Sequence, residues 1–118
     1  MKLATTAFAD MAAIPPRCAF GCIDPKAHVA LSDNRNPGLR WSDVPAGTNS
    51  FALLCIDTDA PTDGALVADS GTPIPVAHPR GDFVHWALAD LPTDLREIAA
   101  GICSDGIDTG GKPAGHDA

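Results

Sequence analysis

The sequence predicts a mainly β fold, and two observations support that prediction. Eleven glycines and eleven prolines are scattered along the 118 residues, so they divide the chain into short segments separated by turns. Two of these segments, Ser50–Asp57 and Phe83–Ala89, are apolar runs of strand length. Because both are apolar at consecutive positions, we expect them to form central strands that are covered on both faces.

The positions of glycine, proline and capping residues indicate the elements around these two strands. Ala27–Leu31 is a candidate short strand. Thr62–Asp82, which is interrupted repeatedly by glycine and proline, is predicted to be a long surface excursion without secondary structure. Leu91–Gly101 is predicted to form a short helix, because Asp94 and Glu97 have the spacing of a capping box and a glycine would end it. From Ile102 onward the composition is that of a loop.

The composition is typical of one globular domain, which we place at residues 1–118. Hydrophobic residues make up 45% of the chain and charged residues 19%. A net charge of -7 with only eight lysines and arginines argues against a nucleic-acid partner, since such partners require clustered positive charge. No run reaches the ~20 apolar residues of a membrane span, and Thr5, Thr6 and Asp10 interrupt the N-terminal apolar stretch. We therefore expect a cytoplasmic protein, with secretion as the alternative.

The cysteines are expected to be reduced thiols. Two disulfides could be drawn among them, but a chain of this length and apolar content does not need them to form a core. Cys18 and Cys22 with His28 approach a metal-ligand spacing, yet no second close pair of ligands follows. We therefore predict neither a metal nor a cofactor. Cys55 alternates with apolar residues on one strand face, so we expect it in the core.

Polar groups enter both apolar runs and form the candidate site. The first run ends in Asp57 and Asp59, followed by Pro61, and the second holds His85 in its interior. Two carboxylates and an imidazole on neighbouring strands could hold a small anion or a polar head group in a pocket. Taken alone, these residues have more common roles: aspartates close turns before proline, and a histidine within a strand is a hydrogen-bonded core residue.

Two further cations, His78 and Arg80, lie in the excursion before the second strand. They are candidates for the rim of such a pocket. A solvated loop is the more common role for residues in this position, so we leave them outside the predicted site.

Five motifs follow one another along the chain, and together they carry a resemblance to a known family. They are Asn34–Pro37 with Leu39 and Trp41, Val44–Thr48, Ser50–Leu53, Asp57–Pro61, and His85–Trp86 with Leu91–Pro92. Their order and spacing resemble the phosphatidylethanolamine-binding protein family. Within it, Val76–Phe83 and Gly111–Pro113 are similar to the bacterial Raf kinase inhibitor-like branch.

The resemblance implies a β-sandwich with short peripheral helices around a small anion pocket, which phosphate-bearing groups occupy. By position, it assigns ligand binding to Asp57, Asp59, Pro61 and His85. An imidazole can hydrogen-bond a phosphate oxygen, and a neighbouring carboxylate can fix its tautomer or share its proton. The resemblance also implies a cis peptide bond and a tight turn at Ala60–Pro61.

The chain departs from the family pattern in two places. Thr58 replaces the central proline of the aspartate motif, which leaves both carboxylates in place. The family also continues with last strands and a second pocket histidine, whereas His116 stands in a different context. We therefore expect the chain to correspond to the N-terminal part of the family fold. Missing strands would expose apolar surface worth roughly 25 cal/mol per Å², so we expect the chain to be marginally stable or to be covered by another chain.

Two classes of function remain open, besides a truncated fragment without function. The first is a module that binds an anionic or phosphorylated ligand and, as the resemblance implies, regulates a kinase or protease; a second copy of the chain is a further candidate partner. The second is a hydrolase that uses Asp57, Asp59 and His85 in acid-base chemistry. The binding module is favoured, because no Gly-x-Ser-x-Gly or other nucleophile signature is present.

Overall fold

The mainly β fold is confirmed by a computed structural model that describes residues 1–69 and 71–105. The described part contains small sheets, one short α-helix and a single 3-10 turn at Pro16–Cys18. Gly111–Pro113 and His116 lie outside the described residues. The elements are β1 (Lys2–Thr5), β2 (Gly21–Asp24), β3 (His28–Leu31), β4 (Leu39–Ser42), β5 (Phe51–Pro61), α1 (Gly64–Ala68), β6 (Arg80–Leu91) and β7 (Glu97–Ile98).

The chain divides into two compact units. Among the described residues, the first contains 1–25, 29–45 and 96–105, and the second contains 26–28, 46–69 and 71–95. The assignment of residues 1–118 to a single family domain therefore stays a prediction. All four cysteines are free thiols; Cys55 is exposed and the other three are half-buried.

In the first unit, β4 is the middle strand of a three-stranded sheet with the order β1-β4-β7. It pairs antiparallel with β1, where Trp41 lies opposite Leu3, and with β7, where Leu39 lies opposite Ile98. Trp41 and Ile98 are the buried apolar side chains of this sheet, with 6% and 7% exposure. The strand β3 confirms the predicted short strand at Ala27–Leu31, and it pairs with β2.

The prediction of a helix over Leu91–Gly101 is wrong. Leu91 ends β6, a single turn follows in which the Leu95 amide donates to the Pro92 carbonyl, and Glu97–Ile98 form β7. Glu97 and Ile98 pair with Arg40 and Leu39 of β4, so a tertiary contact outweighs the local capping-box signal. The segment with the capping-box spacing therefore forms an edge strand and not a helix.

A bidentate ion pair ties the last described residue to the loop before β4. Arg35 donates from Nε to Asp105 Oδ1 at 2.8 Å and from Nη2 to Oδ2 at 2.9 Å. The pair lies over Gly101, whose φ of +82° suits glycine, and a Cβ there would come within 2.5 Å of the guanidinium. The hydrogen bonds from Arg35 hold the pKa of the Asp105 carboxyl below its usual value.

This depressed pKa predicts how stability depends on pH. A carboxyl that is more acidic in the folded state stabilises the fold fully above its unfolded pKa, about 3.9, and loses that contribution as the pH falls through its folded pKa. We expect Asp105→Asn to lower the melting temperature modestly at neutral pH, with a difference from the original chain that shrinks below about pH 4. Melting curves between acidic and neutral pH check this. Asp94→Asn, at an exposed site, is the control, and an Asp105→Asn difference that does not vary with pH would refute the linkage.

In the second unit, β5 and β6 form a two-stranded antiparallel sheet. They confirm the two strands predicted at Ser50–Asp57 and Phe83–Ala89, and both are longer than predicted. The prediction that Thr62–Asp82 lacks secondary structure is wrong, because this segment contains α1 and the start of β6. The Asp63 side chain caps α1 by accepting a hydrogen bond from the Ala65 amide at 2.9 Å.

The expectation that both strands are covered on both faces is also wrong. Leu54, Ile56 and Val84 are 58%, 44% and 51% exposed, and Ile56 and Val84 are direct cross-strand partners. Cys55, predicted to be in the core, is exposed. The sheet has only two strands, so one of its faces keeps its apolar side chains in contact with solvent. Burial is concentrated at one end, where Phe51 lies opposite Leu91.

Candidate functional site

A β-bulge in β6 places His85. Cys55 pairs with Trp86 and the next residue of β5, Ile56, pairs with Val84, so His85 is the extra residue of β6. A bulge interrupts the ladder locally and changes the direction in which a side chain points. His85 is consequently set off from the regular pairing of the two strands.

The imidazole of His85 lies between an aromatic ring and a carboxylate. Its Nε2 is 3.9 Å from Asp57 Oδ2, and the two side chains are 47% and 45% exposed. The Phe83 ring meets the imidazole edge-on, with centroids 4.9 Å apart and an angle of 70° between the planes. A separation of 3.9 Å is too long for a hydrogen bond, so the contact is an ion pair only when the imidazole is protonated. The imidazole is held on two sides and remains half open to solvent.

A second irregularity, this time in β5, shapes the carboxylate side of the site. Between the pairs Asp57↔Phe83 and Ala60↔Gly81, β5 has one residue more than β6. The Asp59 amide donates to Asp57 Oδ1 at 2.8 Å, which is the local turn that aspartate commonly closes. One oxygen of Asp57 therefore closes this turn, and the other lies 3.9 Å from the His85 imidazole.

Arg80 lies at the end of the sheet, although the sequence predicts a loop at this position. It is the first residue of β6, and its Nη1 donates to the main-chain carbonyl of Asp59 at 3.0 Å. Sequence reasoning left Arg80 outside the site as a solvated residue. A signal was available, because Arg80 is the one lysine or arginine between Ala46 and Leu95. Phe83 was also missed, and its position two residues before His85 on one strand could have indicated the ring contact.

The structure brings together two of the four predicted ligand residues. Asp57 and His85 face each other, and the main-chain amide of Asp59 donates to Asp57 while its carbonyl accepts from Arg80. Pro61 lies four residues further along β5, roughly 13 Å away in an extended strand, opposite Arg80. The expected cis bond at Ala60–Pro61 is wrong: the described residues contain no cis peptide, and Pro61 continues β5. The pairing with β6 keeps this stretch extended instead of forming a tight turn.

The part of the chain that the structure describes contains neither a cluster of metal ligands nor a membrane-spanning helix. Within residues 1–69 and 71–105 there is no group of three or more histidine, cysteine or acidic side chains arranged to hold a metal ion. None of the helices in these ranges is long and apolar enough to cross a membrane.

The sequence pattern of the phosphatidylethanolamine-binding protein family matches residues 4–117 of the chain. The chain belongs to this family. The family recognised from the five motifs is thereby confirmed, and residues 4–117 include Asp57, Arg80 and His85.

Curated relatives of this family member come from several bacteria. The protein YbhB of Escherichia coli is 38% identical over 72 residues, which cover 61% of this chain and 35% of YbhB. A UPF0098 protein of Aquifex aeolicus is 32% identical over 63% of this chain and 33% of its own length. A UPF0098 protein of Chlamydia pneumoniae is 28% identical over 87% of this chain and 62% of its own. The matched part of this family member thus corresponds to less than two thirds of each relative.

Proposed function

We propose that this protein binds small anions that carry a phosphate group, in the middle of the β5–β6 sheet, where Asp57 and His85 meet. The observation that supports this proposal is the imidazole of His85, which is held between Phe83 and Asp57 and is half exposed. A protonated imidazole donates a charge-assisted hydrogen bond to a phosphate oxygen. In the proposed complex His85 is the donor to the ligand and Asp57 positions it.

Asp59 and Pro61 have supporting roles in this proposal. The main-chain amide of Asp59 donates a hydrogen bond to the carboxylate of Asp57, and its carbonyl accepts one from Arg80. Pro61 has no amide hydrogen and restricts the strand end to which Arg80 pairs. We assign both residues to the shape of the site and not to direct donation to the ligand.

The place of the protein in the cell and its partners belong to the same proposal. Four free cysteines are compatible with a reducing compartment, which supports the cytoplasm. The resemblance to the Raf kinase inhibitor-like branch supports a regulatory role towards a kinase or protease. Ligand binding is the part of this proposal that the chain can be tested for directly.

Replacing His85 tests the proposed function. We expect His85→Asn to weaken the binding of inorganic phosphate and of phosphoethanolamine by at least about tenfold, since a hydrogen bond to a charged group contributes about 1.5–3 kcal/mol. Titrations followed by isothermal calorimetry or by NMR shifts of the backbone amides of β5 and β6 measure the change. The two ligands together distinguish recognition of the phosphate alone from recognition of the whole head group.

His28→Asn is the matched control. His28 is exposed and has a φ of +68°, a conformation that asparagine tolerates, so this variant also removes one imidazole but leaves the site intact. Equal affinity in the His85→Asn and His28→Asn variants, or no binding by the original chain, would refute the proposal. Turnover of a phosphate ester that disappears in Asp57→Asn would instead establish the hydrolase.

A further inference from the structure

We infer that Arg80 is a second cation of this anion site and that it makes the site prefer phosphate over singly charged anions. The inference rests on the proposed function and extends it to a residue outside the predicted ligand set. Three observations carry it: the charge distribution along the chain, the hydrogen bond that holds the guanidinium, and the exposure of Arg80.

Arg80 is the one basic side chain of the lysine or arginine type in an acidic part of the chain. Between Ala46 and Leu95 there is no other lysine or arginine, while the same stretch contains seven aspartates. They are Asp57, Asp59, Asp63, Asp69, Asp82, Asp90 and Asp94. An anion that approaches this surface is repelled by the carboxylates unless a cation offsets them. Arginine stays protonated at every physiological pH, so Arg80 supplies the permanent positive charge of this segment.

The hydrogen bond of Arg80 holds the guanidinium without neutralising it. Its Nη1 donates to the carbonyl of Asp59, the residue whose amide is bonded to Asp57, and Asp57 in turn faces His85. The acceptor is a main-chain oxygen and not a carboxylate. Among residues 1–69 and 71–105, none of the ion pairs within 4.0 Å involves Arg80. The guanidinium is therefore held next to Asp59, and its positive charge is not neutralised by a neighbouring carboxylate.

The remaining donors of Arg80 suit a phosphate. A guanidinium has five N–H groups in a planar fork, and the bond to Asp59 uses one of them. Arg80 is exposed, so the other donors are accessible to a ligand. A doubly charged phosphate can take a donor from Arg80 as well as from His85, whereas a carboxylate such as acetate gains less from a second cation. The site should therefore discriminate by charge.

Replacing Arg80 tests this inference. We expect Arg80→Gln to weaken the binding of inorganic phosphate by about tenfold and the weak binding of acetate by much less. Arg80→Lys, which keeps the charge but loses the fork, should give an intermediate phosphate affinity. Calorimetric titrations of the original chain and of each variant with both anions at one fixed ionic strength give the comparison, and a melting curve for each variant reports whether it is folded.

Arg17→Gln is a closely matched control. Arg17 is also exposed, and its Nη2 likewise donates to a main-chain carbonyl, that of Ala7 at 3.4 Å. The two glutamine variants therefore change the net charge equally. Loss of phosphate binding in Arg80→Gln but not in Arg17→Gln supports the inference.

The possible failures are distinguishable. If phosphate binds the original chain, is lost in His85→Asn and is unchanged in Arg80→Gln, Arg80 only pins the turn at Asp59 and the inference is overturned while the proposed function stands. If the original chain binds no phosphate, both fail. Should Arg80→Gln not fold, Arg80→Met decides, because it also removes the charge while keeping a long side chain: an unchanged phosphate affinity and an unchanged preference over acetate in that variant would overturn the inference.

Discussion

Trp41→Ala is expected to lower the free energy of unfolding by about 3–5 kcal/mol, the usual cost of removing a large buried aromatic side chain. Trp41 is 6% exposed and lies on β4, the middle strand of its sheet. Its removal takes away apolar contacts and leaves a cavity that two paired neighbours, β1 and β7, keep from collapsing. Since domains are stable by about 5–15 kcal/mol in total, this loss is a large share of the stability, and the variant should unfold at a markedly lower urea concentration.

Urea unfolding followed by tryptophan fluorescence of Trp86 and by circular dichroism measures this loss. Phe20→Ala is the control, because it removes an aromatic side chain that is 58% exposed and should change the stability by less than about 1 kcal/mol. If Trp41→Ala and Phe20→Ala unfold at the same urea concentration, Trp41 is not the centre of a packed sheet. The burial described for β4 would then be wrong for the protein in solution.

Asn36→Ala is the second substitution with a large expected effect, a loss of about 2–4 kcal/mol. The Asn36 amide nitrogen donates to the carbonyls of Ala99 and Pro37 at 3.0 and 3.1 Å. Its amide oxygen accepts from the Cys103 amide and from the Ser104 hydroxyl, each at 3.0 Å. Three of these four hydrogen bonds connect the loop before β4 to the turn after β7, and the fourth lies within the loop. Alanine removes all four.

Thermal melting and amide hydrogen exchange together test this role. The amide of Cys103 should exchange faster in Asn36→Ala, since it loses its acceptor, whereas the amide of Gly101 keeps the Asn36 main-chain carbonyl. Asn49→Ala, at an exposed position, should leave both the melting temperature and the exchange rates unchanged. Unaltered exchange at Cys103 in a destabilised Asn36→Ala variant would mean that the Asn36 side chain stabilises the fold through other contacts.

The candidate site was predictable in part. The apolar runs indicated two long strands, and the polar residues within them indicated that Asp57 and His85 would be involved. Their juxtaposition depends on the antiparallel register, which sets Asp57 opposite Phe83, and on the bulge at His85. A bulge is a mismatch of one residue between two paired strands that are distant in sequence. The sequence of either strand alone therefore does not reveal it. Arg80 is linked to the site by the same register: it pairs with Pro61 at the strand end, and its guanidinium donates to the carbonyl of Asp59.

The sequence by itself determined the local and the chemical features of this protein. Glycine and proline spacing with strand-length apolar runs determined the mainly β fold, and five ordered motifs determined the family, because these features depend on residues close together in the chain. Only the tertiary structure decided that Glu97–Ile98 pair with β4 instead of forming a helix, and that one face of the β5–β6 sheet is exposed. Both outcomes depend on which distant segment satisfies a backbone group or covers an apolar side chain, and that choice is made by packing and not by local preference.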